Sequence, residues 1–280
     1  MSTLDRRQVG EAIAAFAAIL ASGRAFAARD KSSDSAAPGH DMSQMPSHWH
    51  GKERVAFLIY PGFTALDMVG PHYMFASLMG AKIDIVAKTL DPVRSDTGLI
   101  FTPSARFEEA VADFDILCVP GGTQGTLAAI RDDATIAFVR DIGQKARFVT
   151  SVCTGSIVLG AAGLLEGYRA TSHWVTKPLL PIVGAIPTDG RFVKDRNRIT
   201  AEGVTAGLDF ALSLVAELRD EKYAQGVQLL AQYAPAPPFN AGDPATAPKE
   251  VTGMIDGMFT GLRQEMRVAA AATYERNKKP

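Results

Sequence analysis

The stretch "ARFVTSVCTGSIVLGAAGLL", residues 146–165, decides the fold. Phe148 to Val152 is a short apolar, β-branched run that reads as a strand. It stops at Cys153. Residues 154–165 are small and aliphatic and read as a helix, with Gly155, Ser156, Gly160, Ala161, Ala162 and Gly163 among them. A cysteine at the join of a strand and a helix is either a small filler or a nucleophile held on a sharp corner. A tight corner demands small neighbours, and Ser151 and Gly155 stand two positions to either side. That is the spacing of the small residues in a G-x-S-x-G elbow, an analogy of geometry and not of descent.

Outward from this corner the pattern alternates. "RVAFLIY" (54–60) is a continuous apolar strand ended by Pro61-Gly62, and 65–80 has helical spacing. Strands are predicted at 81–88, 98–104, 114–122 and 147–152, and helices at 133–146, 154–165 and 205–220. Strands alternating with helices predict an α/β fold whose parallel sheet is covered on both faces. Sites in such sheets form at the C-terminal strand ends. Three of these ends are chemically marked: Pro61 to Asp67, Pro120 to Thr123, and Cys153. After Ala234 comes the Pro-rich "PAPPFNAGDPATAP", then a helix at about 249–276. Its Val251, Met254, Ile255, Met258, Phe259, Leu262 and Met266 follow helical spacing and predict packing against the domain or a partner subunit.

The start of the chain is a different kind of segment. Arg6-Arg7, the apolar "AIAAFAAILA" (12–21) and "AFA" (25–27) have the order of a twin-arginine signal peptide, residues 1–28. Its expected consequence is a periplasmic protein with no stable membrane anchor; without export the location would be cytoplasmic. Residues 29–52 are polar and without period and read as a disordered linker. The linker holds His40, His48 and His50 with Met42 and Met45, soft ligands suited to copper, although a solvated tail is the simpler reading. The domain proper is predicted at 53–234, and 235–280 form the Pro-rich extension and last helix. A formal charge of −1, with no Lys/Arg run, argues against a nucleic-acid surface. Two cysteines are too few for a disulfide scaffold.

The chemistry predicted at the corner is anionic. The first N–H groups and the dipole of a helix stabilise a thiolate, so the Cys153 pKa is expected to fall. Cys118, inside the apolar "DILCVPGG", is most simply core. Gly121 and Gly122, with the N–H of Thr154, are candidates for an anion hole, or else form an ordinary strand-to-helix turn. Asp67 either moves protons in the same pocket or caps the helix that starts nearby. His173 is a candidate base, as is His72, but a lone histidine is more often a satisfied core or surface residue.

The segments "PGFTALDMVGP", "VPGGT", "VTSVCTGSIVLGAAGLLEGYRATSHW", "TAGLDFAL" and "QYAPAPPFNAG" together resemble the ThiJ/PfpI superfamily, in its isonitrile hydratase branch, over residues 54 to about 247. The resemblance implies a flavodoxin-like three-layer sandwich of the class I glutamine amidotransferase type. It also implies a homodimer acting on a small-molecule substrate without metal or organic cofactor. The family's nucleophile falls on Cys153, its acidic partner on Asp67, the supporting hydroxyl on Thr154 and a histidine of less defined role on His173. Two departures stand out. This chain has an export-like leader, and Glu202 stands where the branch has a run of glycines. Glu202 would add a carboxylate to the pocket, restrict its mobility, or point to water. The expected activity is hydration of an isonitrile to a formamide. The alternatives are glyoxalase- or deglycase-like chemistry on small aldehydes, or a non-catalytic periplasmic redox or ligand sensor.

Overall fold

Val55, Ala56, Phe57 and Leu58 are all fully buried, and consecutive strand residues are hidden together only when both faces of a sheet are covered. The computed structural model describes residues 45–110 and 113–278. The leader lies outside them, as do His40 and Met42. In chain order the elements are β1 (Arg54–Leu58), α1 (Ala65–Ala76), β2 (Lys82–Ala87), β3 (Val93–Arg94), β4 (Ile100–Phe101), β5 (Ala105–Arg106) and β6 (Ile116–Val119). There follow α2 (Gln124–Arg131), α3 (Asp133–Lys145), β7 (Phe148–Val152), α4 (Gly155–Ala161), β8 (Arg169–Ala170), a 3-10 turn (Lys177–Val183) and β9 (Ile186–Pro187). The last are β10 (Phe192–Asp195), β11 (Arg198–Ala201), α5 (Ala206–Leu218), α6 (Glu221–Leu230) and α7 (Lys249–Asn277).

Seven strands form the main sheet in the order β10-β11-β7-β6-β1-β2-β5. Every neighbouring pair is parallel except β10 with β11. Helices α1, α5 and α6 pack together on one side, and α2, α3, α4 and α7 on the other. This is the flavodoxin-like sandwich. The chain leaves β1 for β2 in one direction and returns for β6 on the other side. That reversal opens a crevice at the C-terminal ends of β1 and β6. Phe57 pairs with Cys118 and Cys118 with Thr150. This register brings the ends of β1, β6 and β7 level, so the three marked segments leave the sheet side by side.

Two expectations need correction. The segment 98–104 is not a strand of the main sheet. Ile100–Phe101 pairs with Val93–Arg94 in a separate hairpin, and Leu99 and Ile100 are 57% and 60% exposed. Residues 46–52, expected as part of a free linker, are docked. The Trp49 ring meets Tyr223 edge-on, its Nε1–H donates to Asp220 Oδ2 (2.7 Å), and Arg219 Nε donates to the Trp49 carbonyl (2.6 Å). His48 Nε2 lies 2.7 Å from the same carboxylate oxygen, so this imidazole already has a partner. The last helix takes the first of its two expected roles, packing against the domain. Met266, Ala269, Ala270, Thr273 and Tyr274 pack it onto its own domain, while Met254 and Met258 in its first half are 60% and 69% exposed. None of the described helices is long and apolar enough to cross a membrane.

Candidate active site

Only Cys153 and Thr154 separate β7 from α4. To turn so quickly, Cys153 adopts φ +59°, a left-handed conformation that costs a residue with a Cβ about 1–2 kcal/mol. Hydrogen bonds hold it there. Its N–H donates to the carbonyls of Ala201 (3.1 Å) and Glu202 (2.7 Å), and its own carbonyl accepts from Ser172 Oγ (3.2 Å). The corner is tight on its far side as well: a Cβ on Gly155 would lie 2.3 Å from the Val119 carbonyl oxygen.

Asp67 lies in the first turn of α1 and is fully buried. Thr64 is the N-cap residue, so Asp67 is not the cap. Its Oδ2 accepts the Gly121 N–H (2.8 Å), and Oδ1 is buried with no partner among the described residues. Burial pushes the carboxyl up to about 8, aided by the charge of Asp96 and opposed by the Gly121 hydrogen bond and the Cys153 thiol. At neutral pH it is therefore a protonated acid next to a thiol.

The Thr154 hydroxyl donates to the Gly122 carbonyl (2.7 Å), accepts the Gly122 N–H (2.9 Å) and lies 2.8 Å from Thr126 Oγ1. Thr126 Oγ1 is in turn 3.2 Å from the Tyr60 hydroxyl, which donates to the Pro120 carbonyl (2.7 Å). This buried chain of hydroxyls ties the ends of β1 and β6 to the corner after β7. It also corrects the anion-hole expectation. The amides of Gly121 and Gly122 are already spent on Asp67 and Thr154, so these glycines position the acid and the threonine. A Cβ on Gly121 would meet Thr154 Oγ1 at 2.5 Å and Asp67 Oδ2 at 2.9 Å, and no other residue fits there.

The expected acidification of Cys153 is also corrected. The thiol is buried, and loss of solvation pushes its pKa well above the ordinary thiol value. The Asp67 charge adds to this once that acid ionises. The amide and hydroxyl of Thr154 pull the other way and do not prevail. The seven-residue α4 cannot replace the water that burial removes. Cys118, one strand over, is core as expected, with its thiol raised to about 12 by burial.

Cys153 and Thr154 border a cavity of about 190 Å³. His173 also borders it. Its Nδ1 accepts the Val175 N–H (3.3 Å), which leaves the proton of the neutral ring on Nε2, and burial lowers its pKa. No hydrogen bond joins its ring to the thiol among the described residues; the ring forms part of the cavity wall. His72 packs against Phe57 instead. Glu202 contributes its carbonyl to the elbow, while its carboxylate lies 3.9 Å from Lys177 Nζ, away from the cavity. Sequence reasoning missed Tyr60, Thr126 and Asp96. Tyr60 carried a signal, since a hydroxyl at the end of a buried strand needs a partner. Asp96 accepts from Thr64 Oγ1 (2.6 Å) at the cavity, but in "SDTG" it looks like any turn aspartate.

The chain is 50% identical to isonitrile hydratase of Pseudomonas putida over 198 residues, 71% of this chain and 86% of that one. A crystal structure of a ThiJ/PfpI family protein from Pseudomonas syringae is 53% identical, with TM-score 0.80, covering 85% of this chain and 98% of its own. The transcriptional regulator GbdR of Pseudomonas aeruginosa is 31% identical over 181 residues, 61% of this chain and 48% of the regulator. Residues 53–217, from before β1 through most of α5, match the DJ-1/PfpI family. With a flavodoxin-like sheet, a cysteine elbow and a match over more than half its length, the chain belongs to the DJ-1/PfpI family.

Proposed function

We propose that this protein hydrates isonitriles, R–N≡C, to N-substituted formamides, R–NH–CHO, with Cys153 as nucleophile and Asp67 as proton carrier. The observation that carries the reading is a buried thiol paired with a buried, protonated carboxyl beside a small, largely apolar cavity. The 50% identity to an isonitrile hydratase supports it. The terminal carbon of an isonitrile has a lone pair and is also electrophilic, so it needs an acid and a soft nucleophile together. Asp67 gives its proton to that carbon as sulfur bonds to it, and takes up the thiol proton. The product is a thioformimidate, R–N=CH–S–Cys153. Water then adds to the imidate carbon while nitrogen is protonated. The C–S bond breaks with return of a proton to sulfur, releasing the formamide and restoring the thiol.

The protonated resting pair suits this chemistry better than a free thiolate would. A thiolate beside an ionised Asp67 would have no acid within reach to protonate carbon. The test is formamide production from cyclohexyl isonitrile by the wild type and by Cys153→Ala. A loss on the order of 10³-fold or more is expected. Equal rates would overturn the proposal, and consumption of methylglyoxal in place of any isonitrile would redirect it to aldehyde chemistry.

A further inference from the structure

We infer that α7, outside the family-matched segment, selects the substrate of the site proposed above, with Phe259, Leu262 and Met266 fixing the size of the R group. The cavity has two kinds of wall. Gly122, Thr123, Cys153 and Thr154 form one side, the hydrogen-bonded junction of β6 and β7 with their following helices, all within residues 53–217. Phe259, Leu262, Arg263 and Met266 form the other. Their spacing of three, one and three residues is a single stripe of a helix, so one rigid element faces the reacting sulfur.

The helix is held from below. Met266 and Ala270 are fully buried, and Thr273 Oγ1 donates to the Ile130 carbonyl (3.1 Å). Arg263 is the one cation among the wall residues from α7, and its guanidinium is bonded to Asp256 on the same helix. The wall therefore offers substrate carbon and sulfur, with its one charge already paired. Val175 and Val204 extend the apolar lining.

These features name the substrate class within the proposed reaction: isonitriles with a compact, uncharged alkyl or aryl group. A cavity of about 190 Å³ closed on one side by these side chains favours a compact R group over an extended one. An anionic R group would lie near Asp96 and next to the acid that must stay protonated.

Two substitutions change the wall in opposite directions without touching the catalytic pair. Leu262→Trp fills the cavity, and Phe259→Ala enlarges it. Both residues are only half-buried, so the fold should tolerate both changes, which a thermal melt checks. kcat/KM would be measured for ethyl, cyclohexyl and 2-naphthyl isonitrile. Leu262→Trp should cut the cyclohexyl value at least tenfold and leave ethyl within threefold; Phe259→Ala should raise naphthyl over ethyl at least fivefold. A readout independent of the reaction is the rate of Cys153 alkylation at pH 9 by iodoacetamide and by N-phenylmaleimide, located by mass spectrometry. Leu262→Trp should slow only the bulky reagent. Uniform effects on small and large probes, or none in either assay, would overturn the inference. Absence of isonitrile turnover with a size-dependent alkylation change would uphold the wall and overturn the reaction.

Discussion

Asp67 is the residue on which the chemistry turns, because it is both fully buried and titratable. Its carboxyl binds a proton in the folded chain up to about pH 8, whereas an unfolded chain releases it near 3.8, the ordinary aspartate value. The folded state therefore holds the extra proton between those limits. The stability tied to that proton is fully present below the unfolded value and is lost as pH rises through 8. Two outcomes follow. kcat/KM should fall as pH rises through about 8, since the acid is then ionised. Asp67→Asn should lose activity roughly 100-fold or more, yet melt higher than the wild type at pH 8.5, by roughly 5 °C or more, with the gain shrinking toward pH 4. A pH-rate profile and melts at the two pH values check this; an equal gain at both would refute the buried-acid assignment. At this scale the sequence exposed Cys153 through its small neighbours, but could not separate the acid role of Asp67 from capping. Only the N-cap position of Thr64 decides that. Likewise the pair Gly121-Gly122 is visible as a close-approach site, while what fills its amides is a fact of tertiary packing.

The elbow between β7 and α4 carries a strain that can be measured. Cys153 is one of three residues other than glycine with positive φ among the described residues. Strain of this kind persists where the surroundings over-determine it, and here the Ala201 and Glu202 carbonyls do so. Cys153→Ala and Cys153→Gly both remove the sulfur, but only glycine accepts φ +59° without a Cβ penalty. The glycine variant should therefore be more stable than the alanine variant by about 1 kcal/mol, after allowing for its freer unfolded chain. Urea unfolding of the two inactive proteins reads this difference, and a more stable alanine variant would mean the strain is not there. The long apolar strands, β1 and β7, were legible because they are buried on both faces and read as continuous hydrophobic runs. The edge strands were not. β10 has one buried residue in four, and β5 is two residues long, too short to carry a period. Segment 98–104 misled for a related reason: Leu99 and Ile100 are apolar but exposed on a hairpin.

At the scale of the whole molecule the ends of the chain do work that the alternating pattern did not reveal. α7 closes the cavity, and the segment just before β1 is clasped by the junction of α5 and α6. Arg219 makes that clasp. Its side chain is 1% exposed, it binds both Glu53 oxygens (2.6 and 2.8 Å), and it also donates to the carbonyls of Trp49 and Met79. The hydrogen bonds from Arg219 hold the Glu53 carboxyl below its usual value, against the opposing effect of burial. The pair thus contributes stability that is present above the unfolded pKa of Glu53 and is lost as pH falls through the lower, folded one. Removing one partner of such a pair leaves the other charge stranded, at a cost of about 3 kcal/mol. Arg219→Ala should lower Tm by roughly 6–12 °C at pH 7, and by less as pH falls into the range where Glu53 protonates. Glu53→Gln added to it should recover part of the loss, because the stranded charge is gone. The clasp also predicts a boundary. A chain beginning at Arg54 should melt several degrees lower than one beginning at Pro46, having lost Trp49, Glu53 and three hydrogen bonds of Arg219 to them. Equal melting of both shortened chains would show that residues 46–53 rest on the domain without stabilising it.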